Sequence, residues 1–210
     1  TFDIRDATAV QTAVCRAAPC IVFHLAAVGT TDPCVQPAVA LMVNAGGTVN
    51  LLDALCDSNV ERIVLAGTSY VYGSSGDRKK LDPFNPYSAS KVAAWAFGRT
   101  YWRVHDMPVV TVRPFQVYGP GQPSETLILS AVSAALADDD FAMTSGEQLR
   151  DFIFVEDVTE AMMVVAETAA AEGTSLDLGT GTGTSVGDVV RRIWTLIDTR
   201  GSIRPGALPY

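Results

Sequence analysis

Short apolar runs along this chain alternate with longer segments in which apolar side chains return every three or four positions. Ile21-Val22-Phe23-His24-Leu25-Ala26 reads as a buried strand, and Val43 to Leu55 as an amphipathic helix. The pattern then repeats. Arg62-Ile63-Val64-Leu65-Ala66 predicts a second strand, Tyr87 to Val104 a helix, and Pro108-Val109-Val110-Thr111-Val112-Arg113 a third strand. Strand, helix, strand, helix, strand implies an α/β fold whose parallel sheet is covered on both faces.

The Gly- and Pro-rich stretch Val117-Tyr118-Gly119-Pro120-Gly121-Gln122-Pro123 interrupts this rhythm and places a lobe boundary there. Residues 1–117 are then one domain and 118–210 mainly a second, smaller lobe, with segments such as 175–178 free to return to the sheet. Beyond the break, helical periodicity covers Leu127 to Ala137, Asp157 to Thr168 and Val186 to Ile197. Phe152-Ile153-Phe154-Val155 and Ser175-Leu176-Asp177-Leu178 read as short strands. The run Gly179-Thr180-Gly181-Thr182-Gly183 has the composition of a phosphate cradle. It lacks a G-x-G-x-x-G frame, and its place before a helix favours a strand-to-helix turn.

With 210 residues, 48% of them hydrophobic and 18% charged, the chain is long enough for one sizeable core. A net charge of -8 provides no broad basic surface, which argues against nucleic acid as a partner. No apolar run is long enough to suggest a membrane span, and the first residues do not resemble a signal peptide, so a soluble cytoplasmic protein is the expectation. The 4 cysteines, Cys15, Cys20, Cys34 and Cys56, show no C-x-x-C spacing, and His24 and His105 do not complete a zinc pattern. Free buried thiols and no metal are expected.

Candidate chemistry centres on Tyr87-Ser88-Ala89-Ser90-Lys91, preceded by Thr68-Ser69-Tyr70-Val71-Tyr72-Gly73. Residues four apart share a helix face, so the Lys91 ammonium can lie near the Tyr87 phenol and favour its phenolate. A tyrosine that works as a base near neutral pH needs its pKa lowered by about three units, roughly 4 kcal/mol. One cation does not suffice for that. Lys91 together with the positive ring of an oxidised nicotinamide cofactor would, while the Thr68 hydroxyl holds a substrate oxygen. Taken alone, a Tyr-x-x-x-Lys spacing is common and describes a solvated lysine equally well.

The ordered set of segments resembles the extended short-chain dehydrogenase/reductase family, and within it the NAD-dependent epimerase/dehydratase group acting on nucleotide sugars. In that resemblance Thr68, Tyr87 and Lys91 match the catalytic trio. Asp3-Ile4-Arg5-Asp6 resembles the segment that contacts the cofactor adenine through Asp3 and Ile4. His24-Leu25-Ala26-Ala27 resembles the strand end beside the pyrophosphate and ribose, with Leu25, Ala26 and Ala27 as contacts. Asn44 in Asn-Ala-Gly-Gly-Thr-Val-Asn resembles the helix asparagine near the cofactor. Arg113-Pro-Phe115-Gln116-Val-Tyr-Gly-Pro-Gly resembles the strand leading to the substrate lobe, where Phe115 meets cofactor and Gln116, in place of the usual asparagine, meets substrate. Arg150 in Arg-Asp-Phe-Ile-Phe-Val-Glu-Asp resembles the arginine that meets the nucleotide diphosphate, a task suited to a guanidinium.

The resemblance implies a Rossmann-like doubly wound parallel sheet lacking its first strands, with a smaller C-terminal substrate lobe. It implies NAD as cofactor, with NADP open, a nucleotide-sugar substrate, and a homodimer built on two helices per subunit including the Tyr87 helix. The family's amino-terminal strand, G-x-x-G-x-x-G and helix are expected upstream of Thr1, further lobe residues after Tyr210, and the segment from Gly73 to Tyr87 is short for the family. Sugar dehydratases of the group usually carry Asp-Glu after the threonine; here those positions are Ser69 and Tyr70. Dehydration is therefore disfavoured, leaving C4 epimerisation or ketoreduction. The alternatives are a non-catalytic dinucleotide-binding or interaction protein, for which the intact trio has no use, and a fragment inactive by itself.

Overall fold

In the computed structural model the described residues are 2–32, 34–73 and 77–209. Thr1, Pro33, Tyr210 and residues 74–76, within the short Gly73 to Tyr87 segment, lie outside them. The chain divides into two compact units, Thr1–Pro114 with Thr159–Leu178, and Phe115–Val158 with Gly179–Tyr210.

The first unit holds α1 (Ala7–Ala17), β1 (Ile21–His24), a helical run of α2 (Pro37–Ala40), a π-turn (Leu41–Gly46) and α3 (Gly47–Leu55), then β2 (Arg62–Ala66), α4 (Pro86–His105) and β3 (Val109–Pro114). The second contributes β4 (Gln116–Tyr118), α5 (Leu127–Leu136), β5 (Phe141–Met143), β6 (Leu149–Arg150) and β7 (Phe152–Phe154). The boundary between units falls inside α6 (Val155–Glu167), after which β8 (Ser175–Leu178) belongs to the first unit. The second unit closes with β9 (Thr184–Ser185), α7 (Val186–Ile197) and β10 (Ile203–Pro205).

β1, β2, β3 and β8 form a wholly parallel sheet in that spatial order. Arg62 to Leu65 and Val109 to Arg113 are buried throughout, as in a sheet covered on both faces. Val10 and Val14 of α1 and Leu51, Leu52 and Leu55 of α3 pack on Ile63, Leu65 and Val109. Sequence order places 118–210 mainly in the second lobe, with 175–178 free to return to the sheet. β8 does return, pairing with β3, and residues 159–174 fall in the first unit with it, where Arg62, at the start of β2, donates to the Ala166 carbonyl and pairs with Glu172. The boundary itself falls after Pro114 rather than after Val117, since Gln116–Tyr118 forms its own ladder with β7.

Sequence periodicity passed over α1, whose Asp6 side chain caps the Ala9 N–H at 3.0 Å. Its alanine-rich sequence has only two buried positions, Val10 and Val14, too few to make a stripe. By length and composition alone the continuous run Pro37–Leu55, 19 residues with mean hydropathy 1.4, would be long and apolar enough to cross a membrane. Half of that window is buried within the protein, as a core helix would be. The cysteines are free, as expected, but Cys15, Cys20 and Cys34 are exposed and Cys56 half-buried.

In the second unit, Ala131, Met143, Val186 and Val190 form a small core with Phe141, Phe152, Trp194 and Ile203 around it. The parallel pairs β4 with β7 and β5 with β10 and the antiparallel pair β6 with β9 frame it.

Gly98 sets how closely α4 lies on the sheet: a Cβ there would come 2.6 Å from Leu65 Cδ1 and 3.3 Å from Val109 Cγ1. Gly98→Val is expected to destabilise by about 1–3 kcal/mol through overpacking, exceeding the gain in helix propensity of less than about 1 kcal/mol. Urea unfolding checks it; an unchanged midpoint would mean that α4 is not held at this distance.

Candidate active site

β2 ends at Ala66, and Gly67 N–H donates to Val112 O at 2.7 Å, keeping the departing chain on the sheet. Thr68 follows in extended conformation and caps the short 3-10 turn Ser69–Tyr72, its Oγ1 accepting from Tyr70 N–H at 3.3 Å. α4 starts in a capping box: Asn85 Oδ1 accepts from Ser88 N–H at 2.8 Å, and Asn85 N–H donates to Ser88 Oγ at 3.3 Å. Pro86 adds the fixed φ favoured in a first helical turn. This places Tyr87 in the first turn, with its phenol close enough to the Thr68 side chain for the two to interact. Lys91 comes one turn later, Nζ 5.9 Å from the Tyr87 ring centroid and donating to Ala66 O at 2.8 Å. Tyr87 and Lys91 are 7% and 5% exposed.

That burial sets the charges. The Tyr87 phenol is pushed up to about 12, chiefly by loss of hydration, with the nearby Thr68 side chain opposing and the neighbouring Tyr70 adding to the rise. Burial also lowers the Lys91 ammonium to about 8. Lys91 alone is expected not to suffice to ionise the phenol, and burial makes the need for further positive charge larger. The resting pair near neutral pH is a phenol beside an ammonium. An ammonium has three donors, and among the described residues Ala66 O is the acceptor Lys91 uses. The remaining donors suit the oxygens of a bound ligand, since buried donors without acceptors are costly.

Asn44 ties the helices and loops of this region together. It lies in the π-turn, 1% exposed; its Oδ1 accepts from Val28 N–H at 2.8 Å, and its Nδ2 donates to Val28 O at 3.0 Å and Ser90 Oγ at 2.8 Å. Ser90 Oγ–H in turn donates to Tyr87 O at 2.7 Å. Thr48, 2% exposed, donates to Asn44 O at 2.6 Å, and His24 Nε2 lies 2.9 Å from Thr48 Oγ1. His24 is lowered to about 4 by burial and then by the Lys91 charge. Sequence reasoning singled out Asn44 but not Thr48 or Ser90. The available signal was their spacing, four after Asn44 and three after Tyr87.

Ala27 packs with Val28 and Tyr70 against the cluster of Val35, Ala40 and Tyr87, whereas Leu25 and Ala26 are exposed at the end of β1. Gly29, at φ +86°, lets the chain turn there; a Cβ would sit 2.7 Å from Val35 Cγ1. Asp3 is engaged by Arg5, whose Nε donates at 3.0 Å, and its carboxyl is lowered to about 2 by that contact. Asn50 Nδ2 holds the same segment through Ile4 O at 2.9 Å, and Ile4 packs under α3 where a Cβ on Gly47 would come within 2.5 Å of its Cγ2. Both residues thus have local structural partners.

A second network in the first unit joins Arg113, Tyr72 and Asp177. Arg113 donates to Tyr72 Oη at 2.8 Å, and Tyr72 O–H to Asp177 Oδ1 at 2.7 Å. Trp95 Nε1–H donates to Ser175 Oγ at 2.8 Å beside it. It braces the far end of the turn that starts at Thr68.

Phe115, Gln116 and Arg150 belong to the second unit. Gln116 N–H donates to Asp151 O at 2.9 Å, and the exposed Arg150 folds its guanidinium onto Leu149 O at 2.9 Å. Asp151 accounts for the glycine run. Its carboxylate accepts from Thr180 N–H at 2.8 Å, Thr180 Oγ1–H at 2.7 Å and Gly181 N–H at 2.8 Å. A Cβ on Gly179 would come 2.5 Å from Asp151 Oδ2. The loop is a strand-to-helix turn folded around an internal carboxylate.

The sequence matches the NAD dependent epimerase/dehydratase family over residues 1–179. It is 33% identical over 189 residues to the dTDP-D-glucose 4,6-dehydratase of Mus musculus, covering 87% of this chain and 53% of the relative. It is 32% identical over 179 residues to the UDP-glucose 4-epimerase of Mycolicibacterium smegmatis, covering 80% and 56%. The chain thus spans about half the length of the curated relatives it matches. The solved structure of the Thermus thermophilus UDP-glucose 4-epimerase in complex with NAD superposes with TM-score 0.83 at 25% identity, covering 98% of this chain and 71% of that one. The sheet and its helices are accordingly Rossmann-like.

Two titrations test the electrostatics. Lysine ε-methylene resonances should include one titrating near 8, far below the ordinary lysine value of 10.5; a Lys91 signal titrating at 10.5 would contradict its burial. His24 has its folded pKa below the unfolded value, so the unfolded chain binds more protons between about 4 and 6.5. The stability from neutral His24 is therefore full above 6.5 and lost as pH falls toward 4. Urea midpoints at about pH 7 and about pH 5 should show that loss, and His24→Gln should flatten it; an equal slope in the variant would assign the loss elsewhere.

Proposed function

Because the chain belongs to the NAD dependent epimerase/dehydratase family, we propose that the whole protein interconverts or reduces a nucleotide-activated sugar with a nicotinamide cofactor. The observation that carries this reading is the buried phenol of Tyr87 beside the Thr68 side chain, with the Lys91 ammonium one helical turn on. The donor set fits a dinucleotide: Lys91 has spare N–H donors for ribose hydroxyls, and Leu25 and Ala26 lie open at the end of β1. In the first unit Asp3, Ile4 and Ala27 are further proposed cofactor contacts, with Asn44 acting behind them by holding the Val28 loop; in the second unit Phe115 is a proposed cofactor contact and Gln116 and Arg150 are proposed substrate contacts.

A nicotinamide held there would supply the hydride acceptor and donor. Thr68 Oγ1 and Tyr87 Oη together hold the sugar oxygen, commonly that on C4, and Tyr87 takes its proton as the carbonyl forms. With a pKa pushed up to about 12, Tyr87 needs positive charge beyond Lys91 to work as a base near neutrality. In the reverse direction the same phenol returns the proton. Return of hydride to the opposite face would invert C4, and delivery of hydride to a keto sugar would give net reduction.

Ser69 and Tyr70 follow Thr68 where an elimination would call for carboxyl groups. This favours epimerisation or ketoreduction over dehydration, although the relatives include enzymes named as dehydratases. The four free thiols suit a reducing compartment such as the cytoplasm. We assign a homodimer to the adjoining faces of α4 and the Pro37–Leu55 run, which expose Phe97 and Val104 on one helix and Val39, Leu41 and Met42 on the other.

Tyr87→Phe in the whole protein should lower turnover of UDP- or dTDP-hexoses at least about 100-fold while NAD binding, followed by calorimetry, persists. Retained turnover would overturn the role of Tyr87, and a 4-keto-6-deoxy product would overturn the choice of reaction. Phe97→Asp should shift the whole protein from dimer to monomer in sedimentation velocity; an unchanged dimer would place the interface elsewhere.

A further inference from the structure

We propose that Thr48, with His24 behind it, is a positioning residue of the active site, setting the π-turn that lets Asn44 hold the Tyr87 helix. The kinetic part of this inference rests on the function proposed above.

The hydrogen bonds run in one direction. Asn44 O is a carbonyl and can only accept, so the 2.6 Å contact uses the single Thr48 hydroxyl proton. Thr48 Oγ1 can then only accept from His24, and the 2.9 Å contact requires the proton on Nε2. The imidazole is thereby confined to one tautomer. A charged imidazole would sit near Lys91 in a buried site, and both burial and that charge oppose it.

The turn matters because of angle. In an α-helix each residue advances about 100°, so removing the extra residue of a π-turn would swing Asn44 around the helix. The π register is seen directly, Gly47 N–H donating to Met42 O. From this register Asn44 reaches Val28 on one side and Ser90 on the other. Ser90 sits between Tyr87 and Lys91 and bonds Tyr87 O. Loss of the Thr48 hydroxyl leaves Asn44 O without its side-chain donor and favours relaxation of the turn. Such π-turns inside α-helices are frequent at functional sites. Neither His24 nor Thr48 touches the reacting oxygens in this arrangement; they act through Asn44 and Ser90.

The test compares Thr48→Ser, Thr48→Val and His24→Leu in the whole protein. Thr48→Val is expected to lower kcat about 10- to 100-fold with KM within about twofold, as displacement of a reacting group does. Thr48→Ser, which keeps the hydroxyl, should return kcat to within about threefold of the parent, and His24→Leu should fall between the two. Ring nitrogen shifts should show neutral, Nε2-protonated His24 in the parent and Thr48→Ser. Hydrogen exchange should speed up at Asn44–Thr48 and Ser90–Lys91 in Thr48→Val alone of the two Thr48 variants. Folded Thr48→Val with unchanged kcat and exchange, or equal losses in Thr48→Ser and Thr48→Val, would overturn the proposal. If no nucleotide sugar is turned over, the functional reading fails, and the tautomer and exchange data still decide whether Thr48 positions the helix.

Discussion

One buried amide carries the arrangement of the first unit's site. The Asn44 side chain spends its oxygen and both amide hydrogens on Val28 and Ser90, joining the loop after β1 to the first turn of α4. A buried polar group left without its partners costs about 1–3 kcal/mol, so loop and helix are held in register. The Thr68 turn meets the same helix from the end of β2, and the sheet fixes the distance between them. Position here comes from rigid elements, with Thr68, Tyr87 and Lys91 attached at their ends.

The same dry environment that makes Asn44 effective governs the ionisable groups. Phenol, ammonium and imidazole are all held toward their neutral forms, Tyr87 upward, Lys91 and His24 downward. A charge brought in by a ligand would act strongly on such groups, because little water remains to screen it.

Much of the architecture was legible in sequence because parallel-sheet strands read as continuous apolar runs. Arg62–Ala66 and Ser175–Leu178 have the predicted bounds, as does the helix Val186–Ile197. Tyr87 and Lys91 were visible through helical spacing, and Thr68 through its place just beyond a strand. The π-turn was not, since a pattern sought at about 3.6 residues per turn has no place for an inserted residue. Thr48 and Ser90 stayed hidden for a related reason: small hydroxyl side chains in a helix look like surface filler until their partners are known. Burial had the same effect on the Tyr87 charge state, because spacing shows that a cation is near but not how much water has been removed.

The carboxylate enclosed by Thr180 and Gly181 bears on how a glycine run of this kind should be understood. Asp151 is tethered to its own receptor, so it competes at an effective concentration far above that of any free anion. A phosphate could enter only by displacing a ligand that never diffuses away. The loop has the chemistry of an anion site and is permanently self-inhibited, which turns a recognition element into a fastener between β7 and α7.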